Sequence, residues 1–83
     1  MNQLIYISAP WCGPCRSFSP VMEEVASTGI PIQKVNADDD PDMMIKYGVR
    51  SIPTVIKTNS QGELIGKFVG VKDKQQVIEF YNG

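Results

Sequence analysis

The chain has 83 residues, 42% hydrophobic and 20% charged, with eight Lys and Arg against nine Asp and Glu and a formal net charge of −1. That is the size of one domain with no room for a second, just long enough to bury a core without staples. The sequence offers no basic field for nucleic acid or anionic lipid and no signal-like apolar run near its start, and it contains no histidine, which removes every imidazole-based mechanism.

Leu4-Ile5-Tyr6-Ile7 is a short apolar run closed by Ser8-Ala9-Pro10, and its length and β-branched content suit a buried central strand. From Cys15 onward Phe18, Val21, Met22 and Val25 recur with the period of a one-faced helix that Thr28-Gly29 closes. Cys12 therefore lies at the helix N-terminus, and Pro20 predicts a kink rather than a break. Ile30 to Asn36 reads as a second strand, reached by a helical crossover long enough to set it parallel to the first. In Asp38-Asp39-Asp40-Pro41 the first two acids read as a solvated loop. Asp40 reads as the N-cap of a short helix, about 41–47, that has proline at its first position and ends at Gly48. Tyr47 and Arg50 read as packing and surface residues, and the Met43-Met44 pair as gap filler for the core or its edge.

Pro53 to Thr58 and Leu64 to Val69 are two further strands, joined by the polar turn Asn59-Ser60-Gln61-Gly62 and expected to pair as an antiparallel hairpin. Lys57, inside an otherwise apolar strand, implies an exposed edge. Asp73 with Gln76 has the form of a capping box opening a last helix, on which Val77, Ile78 and Tyr81 share a face up to Asn82-Gly83. The order βαβαββα predicts an α/β fold, a four-stranded mixed sheet covered by three helices.

The only two cysteines, Cys12 and Cys15, sit three positions apart. A structural staple across so short a loop restrains the unfolded chain little. A zinc site needs two more Cys or His, which the chain lacks unless it dimerises across the metal. The remaining reading is a redox-active dithiol, the reading favoured where Cys-x-x-Cys follows a strand and opens a helix. A thiolate there is favoured by the helix dipole and by unpaired N–H groups. Gly13-Pro14 lets the backbone turn tightly and enter the helix with φ already set. Pro14 also withholds a donor from that thiolate, which favours a reducing poise. Trp11, a large ring beside the dithiol, reads either as a core aromatic or as part of a flat docking surface.

At Trp11-Cys12-Gly13-Pro14-Cys15 the sequence resembles the thioredoxins, and the likeness continues through Lys46-Tyr47-Gly48-Val49-Arg50-Ser51-Ile52-Pro53-Thr54 and Gly70, from about Leu4 to Tyr81. The resemblance implies a minimal thioredoxin fold and reduction of protein disulfides by dithiol exchange. Cys12 would be the nucleophile, Cys15 the resolving thiol and Pro53 a cis proline facing them. Trp11, Ile52, Pro53 and Gly70 would border the groove that takes an extended substrate segment. It further implies disulfide-containing protein substrates, a thioredoxin-reductase-like electron donor, no bound cofactor or metal, and a cytoplasmic monomer. Two alternatives stand beside it: a glutaredoxin-like reductase that uses glutathione, and a non-catalytic binding subunit of the same fold.

The chain also departs from the family pattern. It begins almost directly with the strand that leads into the dithiol, without the family's additional N-terminal strand and helix. The buried Asp that typical thioredoxins carry five residues before the motif's Trp is replaced by Tyr6, a phenol that can hydrogen-bond but is no base near neutrality. Lys34 matches the family's lysine near that acid; its amine is expected to reach water, and it would modulate Cys15 only if it lay near the dithiol. Ser8 stands where a second Trp is common, and Pro10 precedes Trp11.

Overall fold

Alternation along β1 (Gln3–Ser8) sends Leu4 and Tyr6 to one side of the sheet and Ile5 and Ile7 to the other, and both sides are packed. The computed structural model describes residues 1–83 and continues from β1 through α1 (Gly13–Ser27), β2 (Ile32–Asn36), α2 (Pro41–Lys46), β3 (Thr54–Thr58), β4 (Leu64–Val69) and α3 (Lys74–Asn82). The strands stand in the order β2-β1-β3-β4. β1 is parallel to β2 and antiparallel to β3, and β3 and β4 form the antiparallel hairpin. This is the α/β arrangement that the element order implies.

Prolines set two of the boundaries. β2 starts at Ile32 rather than Ile30 because Pro31 has no N–H for the ladder, although its carbonyl still accepts from Leu4 at 2.9 Å. β3 likewise starts at Thr54, one residue after Pro53. α1 runs unbroken through Pro20. Asp40 caps α2 by accepting from the Met43 N–H at 3.3 Å, and Gly48 follows the helix with φ +65°, a left-handed conformation that glycine adopts at no steric cost. Asp73 and Gln76 close the capping box of α3 in both directions.

On one face of the sheet, α1 and α3 bring Phe18, Met22, Val25 and Val77 against Leu4, Tyr6 and Val55. The opposite face packs Ile5, Ile7 and Ile56 against Val35, Tyr47 and Val49, with Met43 and Met44 filling its margin. Tyr47 also ties the end of α2 to the hairpin by donating its hydroxyl to the Gly62 carbonyl at 3.0 Å.

Lys57 corrects the reading of an exposed edge. β3 is an interior strand, and Lys57 is only 4% exposed. Its ammonium donates to the carbonyls of Phe80 at 3.3 Å and Gly83 at 2.6 Å, so a buried cation serves the C-terminal end of α3, where carbonyls lack helical donors and the dipole is negative. The sequence showed a charge among apolar residues, and only packing supplied its partner. Lys57→Met keeps most of the stem but removes these bonds. It should cost about 1–2 kcal/mol in urea denaturation and speed amide exchange at the end of α3.

Candidate active site

Strand register gathers the site. Ile7, near the end of β1, stands opposite Thr54, the first residue of β3; Thr54 in turn stands opposite Val69, the last residue of β4. Ser8 stands beside Asn36, the last residue of β2. The segments that follow β1, β2 and β4 and the segment that precedes β3 therefore meet at one end of the sheet, and these carry Trp11 to Cys15, Asp38, Gly70 and Ile52-Pro53.

Cys12 is the N-cap of α1, extended at φ −81° and ψ 112°, and its Sγ accepts a hydrogen bond from the Cys15 N–H at 3.2 Å. The sulfurs are joined as a disulfide with Cα atoms 5.3 Å apart. Both cysteines are buried in one cluster with Ala9, and Ile52 packs against that cluster. Gly13 and Pro14, at the head of the helix, are exposed, so the dithiol lies directly under a thin rim of backbone.

Trp11 is 66% exposed, which excludes the core-aromatic reading. Its indole N–H donates to both carboxylate oxygens of Asp38, at 3.1 and 2.9 Å. Asp38 is thus a site residue rather than merely part of a solvated loop. The contact spans 27 positions, and nothing local in the sequence marks it. The Ile52-Pro53 bond is cis, and the turn before β3 is closed by the Thr54 hydroxyl donating to the Ser51 carbonyl at 2.6 Å. Gly70, at φ +96°, donates its N–H to the Pro53 carbonyl at 2.9 Å, which lays it beside the cis proline in a conformation that side chains rarely adopt. The N–H and C=O of Ile52, in the bend before β3, make no hydrogen bond within the chain and are left unpaired close to the two cysteines.

Tyr6 is buried, and its hydroxyl reaches Ser19 Oγ at 2.9 Å and the Cys15 carbonyl at 3.4 Å. Ser19 is a second residue that the sequence did not single out. Lys34 is exposed, across from Tyr6 on β2. It lines one crevice with Ser8, Ala9, Pro10, Asn36 and Asp39 and another that includes Tyr6 and Ser19; Cys15 lines neither. No group of three or more His, Cys, Asp or Glu is placed to hold a metal, and no helix is long and apolar enough to cross a membrane.

The family model described as Thioredoxin matches residues 1–82. The chain belongs to the thioredoxin family. It is 43% identical over 81 residues to a thioredoxin of Chlamydia caviae, covering 95% of this chain and 78% of that one. It is 42% identical over 82 residues to a thioredoxin of Porphyra purpurea, covering 95% and 76%. Among solved structures it is similar to a single-residue mutant of the thioredoxin from Halobacterium salinarum, with TM-score 0.88, 30% identity and coverage of 98% of this chain and 72% of that one. Thioredoxin from Fasciola hepatica superposes with TM-score 0.86 at 26% identity, covering 98% and 78%. With Cys12 and Cys15 paired at the head of α1, this thioredoxin-family chain is a thiol–disulfide oxidoreductase acting on protein disulfides.

Trp11 is the only tryptophan, so its tether can be read directly. Asp38→Ala should lower the fluorescence anisotropy of Trp11 while costing less than about 1 kcal/mol of stability, because the bond is exposed.

Proposed function

We propose that this protein is a cytoplasmic disulfide reductase in which Cys12 attacks, Cys15 resolves, and a thioredoxin-reductase-like enzyme restores the dithiol. The observation that carries the reading is Cys12 Sγ at the N-cap of a 15-residue helix with the Cys15 N–H pointed at it from 3.2 Å. Positive helix-end potential and that N–H both favour negative charge on the Cys12 sulfur over the Cys15 sulfur. Cys15, one turn further in, has no comparable position.

The exchange proceeds in two displacements. Cys12 thiolate attacks one sulfur of a substrate disulfide; an S–S bond forms to Cys12, and the other substrate sulfur leaves as a thiolate and takes up a proton. Cys15 then loses its proton and attacks the Cys12 sulfur. The Cys12–Cys15 bond forms, the substrate's remaining sulfur departs as a thiol, and two electrons have passed from dithiol to substrate. Because Cys15 is on the same helical turn, the second displacement is intramolecular and outruns release by outside thiols.

Docking uses the unpaired Ile52 N–H and C=O, to which an extended substrate segment adds as a strand, with Trp11, Pro53 and Gly70 as the groove's walls. Pro14 supplies no N–H to the thiolate, which supports a reducing rather than an oxidising poise.

Cys12→Ser should abolish turnover. Cys15→Ser should accumulate mixed disulfides with protein substrates, seen as reductant-sensitive adducts on a denaturing gel; normal turnover by Cys15→Ser would overturn the assignment. Oxidised protein should be re-reduced by NADPH with thioredoxin reductase far faster than by glutathione with glutathione reductase, and the reverse preference would make the chain a glutathione-dependent reductase. In the reduced protein iodoacetamide should alkylate Cys12 well before Cys15, read by mass spectrometry of the labelled peptide, because Cys12 occupies the helix N-cap.

A further inference from the structure

Under the dithiol the core holds a short series of hydroxyls that the exchange as described leaves idle. Tyr6 is 2% exposed, and its oxygen lies between the Cys15 carbonyl and Ser19 Oγ. A phenol has one proton to give. With that proton directed at the Cys15 carbonyl, Ser19 becomes the donor to Tyr6, and the series runs Ser19 O–H to Tyr6 O–H to Cys15 C=O, each bond polarising the next. The ring is held edge-on against Phe18, with centroids 5.5 Å apart, and it stands on β1, which is paired on both sides. The hydroxyl is therefore carried by an interior strand, bonded along both of its edges.

The turn that it touches, at 3.4 Å from the Cys15 carbonyl, lacks one helical bond. Pro20 has no N–H, so the Arg16 carbonyl, one residue beyond Cys15, has no donor four residues on. On the other side, the Cys15 N–H is bonded to Cys12 Sγ, an acceptor whose charge and bonding change at every step of the exchange. Of the groups holding the Cys15 peptide, the Tyr6 hydroxyl is the one that comes from outside the helix and does not change during the reaction.

We propose that Tyr6, backed by Ser19, is a positioning residue for the resolving step, fixing the Cys15 peptide so that its Sγ stays within reach of Cys12 once Cys12 is bonded to substrate. The proposal rests on Cys15 being the resolving thiol. Tyr6 does not touch the reacting sulfurs, so it acts on resolution and on closure of the Cys12–Cys15 ring but not on the first attack.

A chromogenic aryl disulfide whose halves absorb on release separates the two steps. In stopped flow with the reduced protein, the first half released reports attack by Cys12 and the second reports attack by Cys15. Tyr6→Phe and Ser19→Ala should each slow the second phase about three- to tenfold and leave the first within about twofold. The ring-closure equilibrium against glutathione should shift about fivefold toward the open dithiol, or about 20 mV. The double variant should be no slower than the worse single one, and Ser19→Thr, which keeps a hydroxyl, should resolve at the unmodified rate. A wild-type second phase in both single variants overturns the proposal. So do equal slowing of both phases, and a lowered urea midpoint with ring closure unmoved. The underlying assignment fails separately: a second phase that survives Cys15→Ser shows that Cys15 is not the resolving thiol, whatever Tyr6 does.

Discussion

The pairing of Ile7 with Thr54 is the constraint on which the rest of the molecule depends. It joins the end of a strand that leads into a helix to the beginning of a strand that runs the opposite way, so the residues after the first lie beside the residues before the second. Those residues are the dithiol and Ile52-Pro53. Because β1 is also parallel to β2 and β3 antiparallel to β4, Asp38 and Gly70 arrive at the same end. A slip of one residue in this register would turn Leu4 and Tyr6 to the opposite face and exchange them with Ile5 and Ile7, which both hydrophobic clusters forbid.

The chemistry follows from that placement. A strand ending at the head of a helix delivers Cys12 to unpaired N–H groups and a positive potential, and the following turn delivers Cys15 into apolar surroundings. One sulfur thereby sits at the head of the helix and the other within bonding reach of it, one turn in. The Ile52 N–H and C=O are open for the same reason: β3 begins only at Thr54, and these two groups find no strand to pair with. Trp11 is held by Asp38 rather than by burial, so its ring is tethered while remaining at the surface.

Much of this was legible in the residues. Helical periodicity from Phe18 to Val25, the Asp40-Pro41 and Asp73/Gln76 caps, and the Gly-containing turn before Leu64 are local signals, set by backbone geometry and nearest-neighbour hydrogen bonds; each element appears where those signals place it. What misled was polarity without context. Lys57 read as solvent-facing because a charge in a short window has no visible partner; Asp38 does lie in an exposed turn, and what the sequence did not show is its partner. One is a buried cation on the last carbonyls of α3, and the other accepts the Trp11 indole.

The sequence by itself determined the order of elements, the caps that bound them and the dithiol at a helix N-terminus, because each depends on residues within one or two turns of one another. The family likeness through Ile52-Pro53-Thr54 and Gly70 marked further positions without saying what they touch. Only the tertiary structure decided that β3 is interior, that Asp38 holds Trp11 and that Ser19 backs Tyr6 against Cys15. The side-chain contacts of Tyr6 with Ser19, Trp11 with Asp38 and Lys57 with Gly83 join residues 13 to 27 positions apart. Contacts at such separations are fixed by strand order and by which face each side chain takes, and neither is written in any local stretch of chain.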